Sequence, residues 1–326
     1  MPDSRPDTAK DRWTHPAVIL VATDLSDLDR LMPFAFEQAV ETGARLILLH
    51  VLASAAVMSA DAIGMPYYDP VGALESATNT LEPWCEMARM KSIVCDALVR
   101  EGHAVRQIEA VLRQFQVDRL LLGTRSRGKL GKLLLGSVAE QVLRSVNLPV
   151  FTVGPEAHLP VQGGDCERVV LHATTLRETS RPSAALACQI AASQGAKLVL
   201  LHVLPPMDEP ATPETGRSGQ FAALDSSALQ QLRALAAETG AHCCSCVEPL
   251  VVHGNPSIEI LAAAAGQHAS LIVLAATGRS VLDNLTRDRT IYRVLAHAHC
   301  PVLTLRVPAA TPAPAEGEGR RIAMQR

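Results

Sequence analysis

Leu46-Ile-Leu-Leu-His-Val51 recurs as Leu198-Val-Leu-Leu-His-Val203, an offset of 152 positions. Three further pairs keep that offset: Gly43-Ala44 with Gly195-Ala196, Gly102 with Gly254, and Pro149-Val150 with Pro301-Val302. The first strands also match, with one residue of slippage, as Ala22-Thr23 against Ala173-Thr174. A single register held over most of the chain is the mark of a tandem duplication. The length of 326 residues suits two domains, each large enough to bury its own core.

Working outward from the repeat, each copy reads as strands alternating with helical stretches. In the first copy, apolar runs at 17–23, 45–52, 94–100, 119–123 and 149–153 read as strands, and 28–42, 72–91, 104–116 and 137–146 as helices. Strand, helix, strand in series implies right-handed crossovers and a mostly parallel sheet with helices on both faces. Composition agrees: 48% of residues are hydrophobic, yet only 5 Phe, 3 Tyr and 2 Trp contribute, so Leu, Val, Ile and Ala fill the core. The fold class is α/β, with two doubly wound domains at 15–154 and 167–307 and five-stranded sheets. Segment 154–167 reads as the linker, and residues 1–14 and 308–326 as flexible tails. Insertions near 54–72 and 205–220 follow the second strand of each copy and are either lids or surface loops.

Charge and composition exclude several function classes. A net charge of −3 leaves no broad basic face for a phosphate backbone, so nucleic acid is not an expected partner. The first 16 residues carry Asp3, Arg5, Asp7, Lys10, Asp11 and Arg12 without an apolar segment, which reads as a mobile polar arm and not a secretory signal. No apolar run approaches the ~18 residues of a membrane span, so the expected location is the cytoplasm. In that compartment the 8 cysteines are expected as reduced thiols. Adjacent cysteines in His242-Cys243-Cys244-x-Cys246 project in different directions, with no second Cys/His pair at zinc-like spacing, so no metal is expected there.

Open parallel sheets bind ligands outside the carboxyl ends of their strands. Gly123-Thr-Arg-Ser-Arg-Gly-Lys129 fits G-x-x-x-x-G-K, but Leu130 stands where a P-loop needs a hydroxyl for magnesium, and the motif follows the fourth strand instead of the first. A second reading explains more residues. Gly123 ends a strand, and Gly136-Ser137 opens a helix at Val138, so two glycine turns can present main-chain amides to one polyphosphate. Arg125, Arg127, Lys129 and Lys132 either favour the same anion or form a solvated face. Gly136-Ser137 also reads as an ordinary helix cap, and Asp24 with Ser26 as the N-terminal cap of the first helix.

With Gly123-x-x-Ser126, nine residues, then Gly136-Ser137, and with Val21-Ala-Thr-Asp24 and His50-Val51, the chain resembles the universal stress protein family. ATP-binding members of that family carry G-x2-G-x9-G-(S/T). The resemblance implies a Rossmann-like, adenine nucleotide alpha hydrolase-like fold in both copies and ATP, with or without magnesium, as the ligand. Asp24 is then implied at the ribose or adenine, Val51 at the adenine through its backbone, and Gly123, Arg125, Ser126, Gly136, Ser137 and Val138 at the phosphates. Ser126 departs from the motif glycine; if that position needs φ > 0, the serine costs on the order of 1 kcal/mol. The resemblance also implies that the last strands, opened by Pro149 and Pro301, pair with one another, so that the halves mimic a dimer and whole chains dimerise again.

The second copy is an internal control. Its aligned residues are Thr175 for Asp24, Ala275 for Gly123, Asp288 for Gly136 and Arg289 for Ser137, which removes the close backbone approach and adds a repelling carboxylate. His50 and Gly102, by contrast, keep His202 and Gly254, so these pairs are expected to serve the fold through a strand-end hydrogen bond and a tight turn. Neither is nominated as catalytic, and no nucleophile with a placed base is legible. Three readings stand at this point: an ATP-binding regulatory protein using its first domain, a nucleotide-free scaffold, and a nucleotide-dependent enzyme, at most a slow ATPase.

Overall fold

The computed structural model describes residue 13 and residues 15–53, 69–124, 135–158, 168–177, 180–206, 217–240, 246–277 and 289–307. In the first half the elements are β1 (Val18–Thr23), α1 (Leu28–Thr42), β2 (Arg45–Leu52), α2 (Pro70–Met90), β3 (Cys95–Glu101), α3 (Ala104–Gln114), β4 (Arg119–Gly123), α4 (Ser137–Ser145) and β5 (Val150–Val153). The second half repeats them as β6 (Val169–Ala173), α5 (Arg181–Ser193), β7 (Lys197–Leu204), α6 (Arg217–Gly240), β8 (Val247–His253), α7 (Pro256–Gly266), β9 (Leu271–Thr277), α8 (Arg289–His297) and β10 (Val302–Val307).

Strand β1 is buried along its whole length because it lies between β2 and β4 and is covered on both faces. Its residues alternate between two cores, Ile19 and Val21 on one side of the sheet and Val18, Leu20 and Ala22 on the other. The helices supply the matching stripes; in α3 the buried residues are Val105, Ile108, Val111 and Leu112, at helical spacing. Helix α2 starts at Pro70, earlier than the apolar pattern alone marks, because Asp69 caps it by accepting from the Val71 amide and a proline suits the first turn.

Within each half all pairings are parallel. The full order is β3-β2-β1-β4-β5-β10-β9-β6-β7-β8, one continuous sheet of ten strands. The halves join where β5 and β10 run antiparallel, with Phe151 opposite Leu303. The Thr152 hydroxyl donates to the Val302 carbonyl across this seam at 3.2 Å. Each strand would be an edge in its own half, and the pairing covers both edges. Polar contacts reinforce the junction: Arg168, ahead of β6, meets Glu37 and Glu41 of α1 at 2.6 and 3.2 Å, and Gln194 donates to Glu41.

Two expectations need correction. The polar arm does not extend through Trp13, which packs against the core while its carbonyl accepts from the buried Arg119 guanidinium at 2.9 Å. An indole offers enough apolar surface to hold its segment to the core even among charged neighbours. Cys85, Cys95, Cys246 and Cys300 are free, but Cys188 is disulfide-bonded, because packing and not overall cysteine count decides which sulfurs meet. Among the described residues no helix is long and apolar enough to cross a membrane, and no group of three or more His, Cys, Asp or Glu is placed to hold a metal.

Candidate functional site

The strand order reverses between β1 and β4, which lie side by side while their crossover helices go to opposite faces. That is the switch point at which an open α/β sheet leaves a crevice. A crevice of about 290 Å³ opens there, bounded by the ends of β1, β2 and β4 and the starts of α3 and α4. Its walls include Asp24, Val51, Gly123, Gly136, Ser137 and Val138. Six of the eight residues singled out in the sequence therefore meet in one place. Arg125 and Ser126 lie outside the described residues, as do Arg127, Lys129, Lys132, most of both insertions, and His242, Cys243 and Cys244.

Each wall has a local cause. Leu49 and Leu122 end apolar strands and make an aliphatic floor, with Ile108 of α3 beside them. Val51 is half-buried on the same core. The α4 end is polar: Gly136 occupies the N-cap position without a side-chain cap, and its carbonyl accepts from the Glu140 amide at 2.9 Å. The amides ahead of Glu140 sit at the positive end of the helix, which is how main chain holds an anion. Gly136 has φ −60° and ψ 142°, angles any residue adopts, so what glycine offers there is the lack of a side chain.

Asp24 is exposed at the rim, and its carboxylate accepts from the amide and hydroxyl of Ser26 at 2.9 and 2.6 Å. This turn does not cap α1. The N-cap residue is Asp27, a wall residue of the crevice that the sequence reading passed over. Asp27 is 6% exposed, and its Oδ1 accepts from the Thr23 hydroxyl at 2.5 Å. The Thr23 oxygen in turn accepts from the Leu25 amide at 2.9 Å, which fixes the turn. Burial pushes the Asp27 carboxyl up from the usual carboxylate range, only partly offset by the Thr23 bond. The available signal was Asp27 standing directly before the apolar stripe that starts at Leu28.

Asp27 also accounts for the first glycine. A Cβ built on Gly123 would lie 1.7 Å from Asp27 Oδ2 and 2.8 Å from its Cγ. Gly123→Ala should therefore cost about 1–3 kcal/mol through overpacking. Asp27→Ser in the same chain should return most of that loss, because the shorter side chain removes the carboxylate oxygen that the added methyl meets. Urea denaturation of the two single variants and the double variant checks the coupling, and strictly additive losses would contradict it.

The paired histidines and glycines behave as the duplication implies. His50 Nδ1 lies 3.0 Å from the Thr23 carbonyl and His202 Nδ1 lies 2.8 Å from that of Thr174. Gly102 and Gly254 have φ of 131° and 148°, backbone that favours glycine. In the second half Thr175 and Ala275 occupy the aligned strand ends, Asp288 lies outside the described residues, and α8 begins at Arg289.

Fold and crevice together define a doubly wound α/β protein made twice over, with a switch-point site in its first half. The universal stress protein family model matches residues 17–154 and 168–306. The chain belongs to the universal stress protein family, as a tandem member. A universal stress protein from Thermus aquaticus is 30% identical over 142 residues, covering 41% of this chain and 96% of that protein. One from Methanocaldococcus jannaschii is 32% identical over 81 residues, which is 25% of this chain and 45% of the relative's length. The crystal structure of a universal stress protein from Archaeoglobus fulgidus superposes with a TM-score of 0.67 at 19% identity, covering 90% of this chain and 98% of that one. That likeness is one of fold.

Proposed function

We propose that the first half binds an adenine nucleotide, ATP with or without magnesium, and that the second half is a partner domain that has given up the site. The observation that carries this reading is the convergence of Asp24, Val51, Gly123, Gly136, Ser137 and Val138 on one crevice at a switch point. The aliphatic floor suits a base, and the uncapped start of α4 suits phosphate. Arg125 and Ser126, which fall between β4 and α4 in the sequence, belong to the same proposed site.

The role is regulatory. A ligand that binds only the folded state adds RT ln(1 + [L]/Kd), about 2.7 kcal/mol at a hundredfold excess over Kd. At the cellular concentration of ATP, tight binding makes the nucleotide a constant brace, whereas weak binding makes it an energy sensor. The last strands are already paired within the chain, so a homodimer in a stress-response assembly would form through some other surface.

Thermal unfolding with and without millimolar ATP tests the reading. The wild type should gain roughly 5–10 °C at a hundredfold excess over Kd. Gly136→Asp, which installs the second half's residue, should gain nothing. An unchanged midpoint for the wild type at every ATP concentration would leave the scaffold reading in possession.

A further inference from the structure

Asp27 is the one buried carboxyl group in the wall of the crevice, among the described residues. Its two oxygens have different surroundings. Oδ1 has a donor in Thr23, while Oδ2 is pressed toward the Cα of Gly123, where a side chain would collide with it. A carboxylate held there would place a negative charge beside the first glycine of the anion loop, against the ligand that the loop is built to hold.

Both halves keep the same turn: Leu25 and Leu176 have φ of 72° and 60°, and their amides donate to Thr23 and Thr174 at 2.9 and 3.2 Å. They differ at the group behind it. In the first half Thr23 donates to Asp27, whereas in the second Thr175 exchanges a hydrogen bond with Ser180; Glu178, which falls opposite Asp27 in the register of the turn, lies outside the described residues.

We propose that Asp27 is a positioning residue that binds the nucleotide in its neutral form, its Oδ2 hydroxyl donating to an anionic phosphate oxygen beside Gly123, so that binding takes up one proton. The proposal rests on the nucleotide reading above and adds to it a dependence on pH. Burial already favours the protonated group, and an incoming phosphate favours it further. The sign follows: affinity is greatest where Asp27 is protonated in the free protein and weakens as pH rises through its ionisation. The charged and titratable groups around it are Asp24 on its own loop, Arg30 one turn into α1, and His50 at the end of β2; the α3 and α4 walls present Ala104, Ile108, Ser137 and Val138, which do not titrate.

The test is the Kd for ATP of wild type and Asp27→Asn, measured by calorimetry from pH 5 to pH 8.5 at fixed magnesium. Titration of ATP itself and of the other groups of the protein is common to both and cancels in the ratio of the two constants. The ratio of wild-type Kd to variant Kd should rise with pH, by about tenfold for each unit that binding shifts the ionisation of Asp27. With adenosine, which has no phosphate, it should stay flat. Unfolding curves establish that the variant is folded, and Asp27→Ser, carrying the cap of the second half, should show the same loss of pH dependence. Parallel pH profiles would overturn the proposal and leave the nucleotide reading standing. So would an asparagine variant that weakens binding only when magnesium is present, since that marks an ionised metal ligand. Absence of ATP binding by the wild type at every pH would overturn both.

Discussion

Phe151→Ala should lower the unfolding free energy by about 3–5 kcal/mol, the range for emptying a large aromatic site in a packed core. The ring is fully buried in the seam strand β5, 5.3 Å from the Phe34 ring, with the Arg119 guanidinium 5.0 Å from its centre. Arg119 is itself buried, and desolvation pulls it down to about 10. Among the described residues it has no short ion pair to offset that burial; it donates to Gln38 and to the Trp13 carbonyl, and the aromatic face adds to its attraction. Removing the ring thus takes away apolar contact and leaves a buried cation less well accommodated. Because Phe151 faces Leu303 in the strand pairing that joins the two five-stranded halves of the sheet, the loss should reach both. Urea denaturation gives the magnitude, and hydrogen exchange at β5 and β10 gives its reach. A loss below about 1 kcal/mol, or faster exchange in β5 alone, would mean that the seam does not couple the halves.

The duplication and the alternation of strands and helices within each half were legible because strands buried on both faces are written as unbroken apolar runs. Leu46 to Leu49 and Leu198 to Leu201 are all buried, so neither stretch has a polar side to vary. The crevice was legible for a related reason. A switch-point site is made from strand ends and helix starts, and those are the places where glycine, aspartate and proline punctuate a sequence. Asp27 was not legible as a wall residue. Asp24-Leu-Ser-Asp27 offers two aspartates before one helix, and only the Thr23 bond and the distant Gly123 decide which turns inward. The same holds for the adjacent charges Asp118 and Arg119. Asp118 accepts from the amides of Ala17 and Val18 at the start of β1, and Arg119 points into the core. Contacts between residues far apart in the chain carry no local periodicity.

The two halves therefore share a scaffold and differ in chemistry. The strand-end histidines, the turn glycines and the threonine-braced loops are common to both, whereas the differences at Gly123 and Asp27 face the crevice. The second half supplies β10, without which β5 would be an open edge. That requirement accounts for a strand register kept intact from β6 to β10 while the residues at the strand ends differ between the halves.

His172 places an acid-labile group inside that retained half. It is fully buried on β6, where the first half has Val21. Its Nδ1 lies 3.0 Å from the Val273 carbonyl, which only accepts, so Nδ1 carries the proton; Nε2 lies 3.3 Å from Ser183 Oγ. Burial brings the imidazole down from 6.5 to about 4. The folded value lies below the unfolded one, so the contribution is complete above pH 6.5 and is lost as pH falls toward 4. The loss should amount to on the order of 3 kcal/mol. The raised carboxyls Asp27 and Glu41 act in the opposite direction, gaining stability as they protonate, so the wild-type profile alone mixes both signs. His172→Val separates them. The variant should be less stable than the wild type at pH 7.5, where it loses a hydrogen bond and some volume, and should equal or exceed it at pH 4.5, while every other group titrates alike in the two proteins. Unfolding midpoints that keep a constant gap across that range would show that His172 does not set the acid limit of the second half.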